Sequence, residues 1–390
     1  MIEDLKQFAQ FIRSYATGGV ILIICLVLSL FIANTWLNTG FNNFLQSHYG
    51  AQLGAVDLNY TTLEWINDGL MAIFFLLVGL EIKDEVLNGE LSDMHSATLP
   101  IFAAVGGMLV PAAIYALINL NSVTDKGWGI PMATDIAFVV AIINIIKSRV
   151  PQSLQVFIKA LAIVDDLGAI LVIAIFYSAG LHTTYLLLAL GMFVLQLLLN
   201  RLNVKYLASY LIPGLFMWYF VHHSGIHATV AGVLTAMAIP HEVKANYSPL
   251  KKLIHFLENP VNFIIVPIFA LANSNINISS SLAGGNIVNP LTSGIFFGLL
   301  LGKPIGITLF SWLAVKLKVS KLADGISWMQ VWGIGQLAGI GFTMSIFMAL
   351  LSFADAGLQS QAKFGILVAS MLAASVGYIL FARKPQKIKQ

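Results

Sequence analysis

The chain has 390 residues, 58% of them hydrophobic and only 10% charged, with a mean hydropathy of +0.84. Soluble domains run at about 45–50% apolar and roughly 25% charged, so a soluble globular enzyme, a disordered chain and a fibrous chain are all excluded. The lone Cys25 rules out an internal disulfide and any cysteine-rich metal site.

Charge is absent from Ser14 to Val56, Met94 to Thr124, Leu167 to Asn200, Tyr206 to Pro240 and Asn259 to Gly302. A membrane-spanning helix needs about 20 mostly apolar residues, so several of these stretches hold two spans. The expected fold is an all-α multispan membrane protein. Loop breakers place about twelve spans, near 14–34, 62–82, 96–118, 127–146, 151–177, 182–200, 206–221, 225–239, 251–273, 290–314, 327–351 and 360–382. The whole chain, 1–390, reads as one transport domain. The first apolar run follows Glu3 and Asp4 and has no A-x-A pattern behind it, so it reads as an uncleaved span. Residues 35–60 form an outside segment, Asn- and Gly-rich, whose alternating run Ala55 to Tyr60 carries a weak β-hairpin signal.

With the N-terminus in the cytoplasm, 17 of the 21 Lys and Arg fall in inside loops or tails, including the basic run Arg383 to Lys389. Only Lys126 and Lys363 fall outside, while Lys159 and Lys303 lie within spans. That asymmetry obeys the positive-inside rule and places both termini in the cytoplasm.

Three spans carry charge near their midpoints. Asp135 lies in the fourth, Asp165 and Asp166 in the fifth, and Lys303 in the tenth. Charge at that depth is costly and usually faces a cavity or a partner. A helix-gluing ion pair would explain one acid and one lysine but leaves two carboxylates over. A buried carboxylate without a partner takes up a proton or binds a cation. Asp165 and Asp166 project roughly 100° apart on a helix, so they need not meet at one point. A site that holds either protons or a small hard cation, but not both, is already an exchanger.

Two spans look interrupted. Pro131 removes a backbone donor in Gly129-Ile130-Pro131-Met132-Ala133-Thr134-Asp135, and a fresh half-helix is expected after it. Gly333, Gly335, Gly339 and Gly341 weaken the eleventh span. By the parity of the count, spans 3–5 and 10–12 are inverted repeats, each with its broken helix in the middle. Broken segments at matching places in inverted halves mark the binding site of a secondary transporter.

With these residues in hand, the chain resembles the NhaA-type sodium/proton antiporters. The resemblance rests on Trp65-Ile66-Asn67-Asp68, Phe74 to Glu81, Ala133 to Phe138, Asp165 to Ile170, Gly225 to Thr229, Gly302-Lys303-Pro304 and Gly339 to Ile346. Together these run from the second span to the eleventh. The resemblance implies that Asp165 and Asp166 carry Na⁺ or Li⁺ one way and protons the other. It implies that Asp135 and Lys303 balance charge where spans four and eleven cross, with a Lys303–Asp165 pair also allowed, and that Thr134 lines the ion site. Glu81, His227 and His255 are implied in the pH response. The resemblance further implies electrogenic sodium export at the bacterial cytoplasmic (inner) membrane, pH homeostasis, and a homodimer joined through a hairpin near residues 45–58. No resident cofactor and no nucleic-acid partner are expected. The transported Na⁺ or Li⁺ is the only metal, with the lipid bilayer as surroundings.

The sequence departs from the family pattern in the regulatory region. Ile254 stands where the family has Glu, Glu258 where it has a second His, and Asp84 where it has Arg; His255 matches. The transport residues are intact. Among weaker features, His222, His223 and His227 cluster near an outside loop, where a zinc site would still need a fourth ligand. Two rival functions remain. A sodium-coupled symporter of an organic solute shares the broken helices, though no organic-anion pocket is evident. An intramembrane aspartyl protease shares buried aspartates, but the chain has no G-x-G-D and carries Lys303 where a protease gains nothing. No phosphate-binding loop supports ATP-driven pumping.

Overall fold

The computed structural model describes residues 15–53, 56–146, 150–178, 180–241, 248–277, 288–322 and 325–382. The basic tail from Arg383 and residues 54–55 lie outside the described residues. What is described is overwhelmingly helical, as the composition requires. Among the described residues six helices are long and apolar enough to cross a membrane, and up to eight spans result if each of two bent helix pairs counts as one. Several other helices carry charge or are short. One 25-residue helix holds Lys159, Asp165 and Asp166 among its apolar residues. Large apolar side chains also stand exposed along the helices, such as Val27 and Phe31 in the first and Leu187 and Leu198 further on. In water such faces would be a liability; against hydrocarbon they are the expected surface.

The chain divides into two compact units. The first draws on the described residues of 1–24, 88–169 and 276–390. It contains α4 (Met94–Ile118), a 3₁₀ helix (Asp125–Met132), α5 (Ile136–Ile145) and most of α6 (Gln152–Phe176). From the later part come α12 (Pro290–Phe297), a π-helical turn (Gly298–Gly302), α13 (Lys303–Lys316), α14 (Trp328–Ala338), α15 (Phe342–Ser352) and α16 (Ala356–Ala382). The centre of this unit is the α4–α13 pair. A Cβ on Gly106 would strike the Gly306 carbonyl, and one on Gly306 would strike the Gly106 carbonyl. Small residues bring the two backbones into contact, the usual device where apolar burial gives no drive between helices.

The second unit draws on 25–87 and 170–275. It holds most of α1 (Tyr15–Ala33), α2 (Asn38–Gln46), the strands β1 (His48–Tyr49), β2 (Gln52–Leu53), β3 (Val56–Asp57) and β4 (Tyr60–Thr61), and α3 (Met71–Asn88) after a π-helical stretch, Trp65–Leu70. Then follow α7 (Thr183–Arg201), α8 (Ala208–Ser224), α9 (Val230–Ala238), α10 (Pro249–Pro260) and α11 (Val266–Asn273). β1 pairs with β4 and β2 with β3, both antiparallel, in nested register. Two nested antiparallel strand pairs thus occupy residues 48–53 and 56–61. The Asn-rich run before it forms α2, which lies at 108° to α1. Thr61 and Glu64 make a reciprocal capping box, and the Trp65 indole donates to the Tyr49 carbonyl at 2.9 Å, so the hairpin is tied to the helix that follows it.

Candidate functional site

Helical geometry lapses at two places in the first unit. Ahead of α5 the chain runs as a 3₁₀ helix through Pro131 and is extended at Ala133 and Asp135. Between α14 and α15 the helix stops at Gly339 and restarts at Phe342, with a bend of 51°. Gly339 and Gly341 have ordinary negative φ values, −68° and −89°. Glycine is needed there for space and not for conformation. A Cβ on Gly339 would strike the Leu299 carbonyl, and one on Gly341 would strike the Ser345 hydroxyl.

The two breaks are stitched to each other. The Thr134 hydroxyl donates to the Ala338 carbonyl at 2.9 Å, the Asp135 amide to the Ile340 carbonyl at 2.7 Å, and the Ser345 hydroxyl to the Ile130 carbonyl at 2.8 Å. These bonds satisfy backbone groups that a broken helix leaves over. Asp135 has two tasks. Its Oδ1 accepts from the Phe138 amide, capping α5, and its Oδ2 accepts from the Thr343 amide at 3.0 Å and from the Thr343 hydroxyl. One buried carboxylate thus faces the positive N-terminal ends of two half-helices, α5 and α15, where an anion is best placed.

A second cluster lies on α6 and α13. Asp165, Asp166 and Lys303 are all buried, Lys303 completely. Lys303 Nζ sits 2.6 Å from Asp165 Oδ2, and Asp166 is within electrostatic reach of the same ammonium. The structure gives Lys303 to Asp165, while Asp135 is held by amides and a hydroxyl. Asp165 Oδ1 is buried and has no hydrogen-bond partner. A carboxylate oxygen in that position is a free acceptor for a proton or a hard cation.

The residues expected in the pH response lie in the second unit. Glu81 is half-buried on α3, two residues before Lys83. Lys83 donates to the carbonyls of Met237 and Ile239, each at 2.6 Å, and Asn200 donates to Ala238 at 2.7 Å, so the C-terminus of α9 is capped by side chains of α3 and α7. His255 is exposed on α10. His227 Nε2 lies 3.3 Å from Asp68 Oδ1, and His222 Nδ1 lies 3.7 Å from Asp68 Oδ2. Among the described residues no three His, Cys, Asp or Glu converge as a metal site. Asp68 and Thr343 were not singled out as site residues from sequence. Both fall inside motifs that were, Trp65 to Asp68 and Gly339 to Ile346, but only the fold shows whom they touch.

The Na⁺/H⁺ antiporter 1 family matches residues 9–381. The chain belongs to that family. It is 56% identical over 380 residues to the Na⁺/H⁺ antiporter NhaA 2 of Flavobacterium johnsoniae, covering 97% of this chain and 93% of that protein. It is 49% identical over 371 residues to NhaA of Flavobacterium psychrophilum, covering 95% of this chain and 94% of that one. With NhaA of a Shewanella species the identity is 46% over 381 residues, covering 97% and 98%. Family membership and the apolar helices together make this a multi-pass membrane protein.

Proposed function

We propose that the chain is a secondary Na⁺(Li⁺)/H⁺ antiporter in which Asp165 and Asp166 bind the alkali ion and the protons in alternation. The observation that carries this is Asp165 itself. One carboxylate oxygen is paired with Lys303, and the other is buried with an unused acceptor. When Na⁺ enters, the carboxylates lose protons and supply oxygen ligands. When protons return, the cation leaves.

Asp135, Thr134, Pro131, Gly339 and Gly341 then serve the scaffold. They hold two broken helices in register and place a carboxylate against two helix N-termini. We read the fold as twelve spans with spans 3–5 and 10–12 as inverted repeats, in one transport domain. The lysine and arginine asymmetry supports cytoplasmic termini and a bacterial inner-membrane location. Electrogenic exchange, with more protons moved than sodium ions, belongs to this reading, as do sodium export, a homodimer through the β1–β4 hairpin, and a pH response through Glu81, His227 and His255.

The test is a proton-flux assay in everted vesicles, adding Na⁺, Li⁺ and K⁺ in turn. Na⁺ and Li⁺ should collapse a preformed proton gradient and K⁺ should not. Asp165→Asn and Asp166→Asn should each abolish the response, and a full response from both variants would sink the assignment.

A further inference from the structure

Pro304 carries no backbone N–H. In an α-helix that N–H would meet the carbonyl four residues back, which is Leu300. The chain winds as a π-helix over Gly298–Gly302, directly before Lys303. The Leu300 carbonyl receives the side-chain amide of Gln336, on α14, at 3.3 Å. Gln336 is only 4% exposed, and its own Oε1 has no partner. Burying an amide is costly unless its bonds are made, so apolar packing gives no reason for glutamine here.

The surroundings point the same way. Gly335 abuts Pro304, and Gly339 abuts the Leu299 carbonyl. The end of α14 therefore seats on the stretch of chain that Pro304 leaves short of donors. That end is also the edge of the helix break. One residue touches both the break and the turn that aims Lys303.

We infer that Gln336 is a positioning residue: its amide fixes the π-turn before Lys303 and so sets the Lys303 ammonium against Asp165. This rests on the reading of Asp165 and Asp166 as the exchange site. The charged groups facing Lys303 among the described residues are Asp165 and Asp166 from α6, while Asp135 is engaged with Thr343 and Phe138. Gln336 is uncharged and bonds to a backbone carbonyl, so it acts through the turn that leads into α13. Moving the ammonium would change how readily the carboxylates exchange a proton for a cation. Unfolding is not required for that effect.

The experiment compares wild type, Gln336→Met, Pro304→Ala and the double variant in everted vesicles, and records melting temperature in detergent. Gln336→Met keeps the length of the side chain and removes an unsatisfied buried oxygen, so it should melt no lower than wild type. Its apparent KM for Na⁺ and Li⁺ should change about three- to tenfold, the worth of one buried hydrogen bond. Its maximal rate should be little changed. Its pH profile should move by roughly half to one unit, a shift that a merely structural role would not produce. Pro304→Ala returns an N–H to the Leu300 carbonyl, so Gln336→Met should cost much less on that background. Should Gln336→Met not reach the membrane, Gln336→Asn, one methylene too short to bond Leu300, carries the same expectations for KM and pH profile but should melt lower, because its buried amide is left without partners. Wild-type KM and pH profile in the variant, or an equal penalty on both backgrounds, would overturn the inference. Wild type and Asp165→Asn run alongside separate the two readings. An inactive wild type would sink the exchange site, whereas an active wild type with an indifferent Gln336 variant sinks only this one.

Discussion

Asp135 accepts a hydrogen bond from the backbone amide of Thr343, 208 residues away in sequence, while its other oxygen caps its own helix. The two half-helices α5 and α15 thus share one negative charge at their N-termini. The Thr343 hydroxyl adds a second bond to the same oxygen.

Thr343→Val removes the hydroxyl bond and keeps the amide bond. It should lower the melting temperature modestly, the loss being about 1 kcal/mol, with more lost if the oxygen finds no new donor. Asp135→Ala removes all three bonds, the cap among them, and should cost more. The double variant should fall well short of the sum of the two, because Thr343→Val has nothing left to break once Asp135 is gone. Additive losses would show that the two side chains do not act together.

The Lys303–Asp165 pair makes a different prediction. Removing one partner of a buried ion pair typically costs about 3–5 kcal/mol, because the survivor is left as a buried charge or must change its protonation. Lys303→Met should therefore lower the melting temperature clearly and change the pH dependence of antiport. Lys303→Met combined with Asp165→Asn should recover stability, since no charge is stranded, yet remain without Na⁺-driven proton flux. A Lys303→Met protein with wild-type melting and pH profile would reject the pair.

Lys83 offers a test in the second unit. Its ammonium holds the carbonyls of Met237 and Ile239 at the end of the short helix α9. Lys83→Met keeps the stem and drops the donors, so it should loosen that helix end. Faster amide hydrogen exchange over residues 230–239, with exchange over α13 unchanged, is the expected pattern. Uniform exchange changes across the protein would show instead that Lys83 supports the fold as a whole.

Tyr60, on β4 and outside the long apolar helices, has its phenol pushed up to about 12, chiefly by burial and then by Tyr219, Asp57 and Asp68 nearby. The sign follows from linkage. The phenol releases its proton near pH 10 in the unfolded chain but not until about 12 in the folded one. Whatever stability Tyr60 lends is complete below pH 10 and is lost as pH rises from 10 towards 12. Tyrosinate absorbance titrated against pH should contain a late component that Tyr60→Phe removes. Ionisation of that component near 10 would contradict the burial seen here.

By itself the sequence determined what kind of object this is. Long charge-free stretches can persist only in hydrocarbon, and the few charges left inside them, Asp135, Asp165, Asp166 and Lys303, stand out because a bilayer penalises them. Pro131 and the glycines around 339 pointed to weak places, but proline alone does not make a break: Pro100 and Pro111 stand inside the continuous α4. Which groups meet was decided by tertiary structure alone. Nothing local says that Lys303 bonds to Asp165, that Thr343 shares Asp135, that Asp68 gathers His222 and His227, or that Gln336 covers Leu300. Those partners lie between about 140 and 210 residues apart, or in the Gln336 case across two different helices. Periodicity along one helix carries information about its own faces and none about the helix that will pack against them. The glycines teach the same lesson: their number was plain from the start, but only the packed backbones of Gly339 against Leu299 and Gly106 against Gly306 reveal that they are there for room.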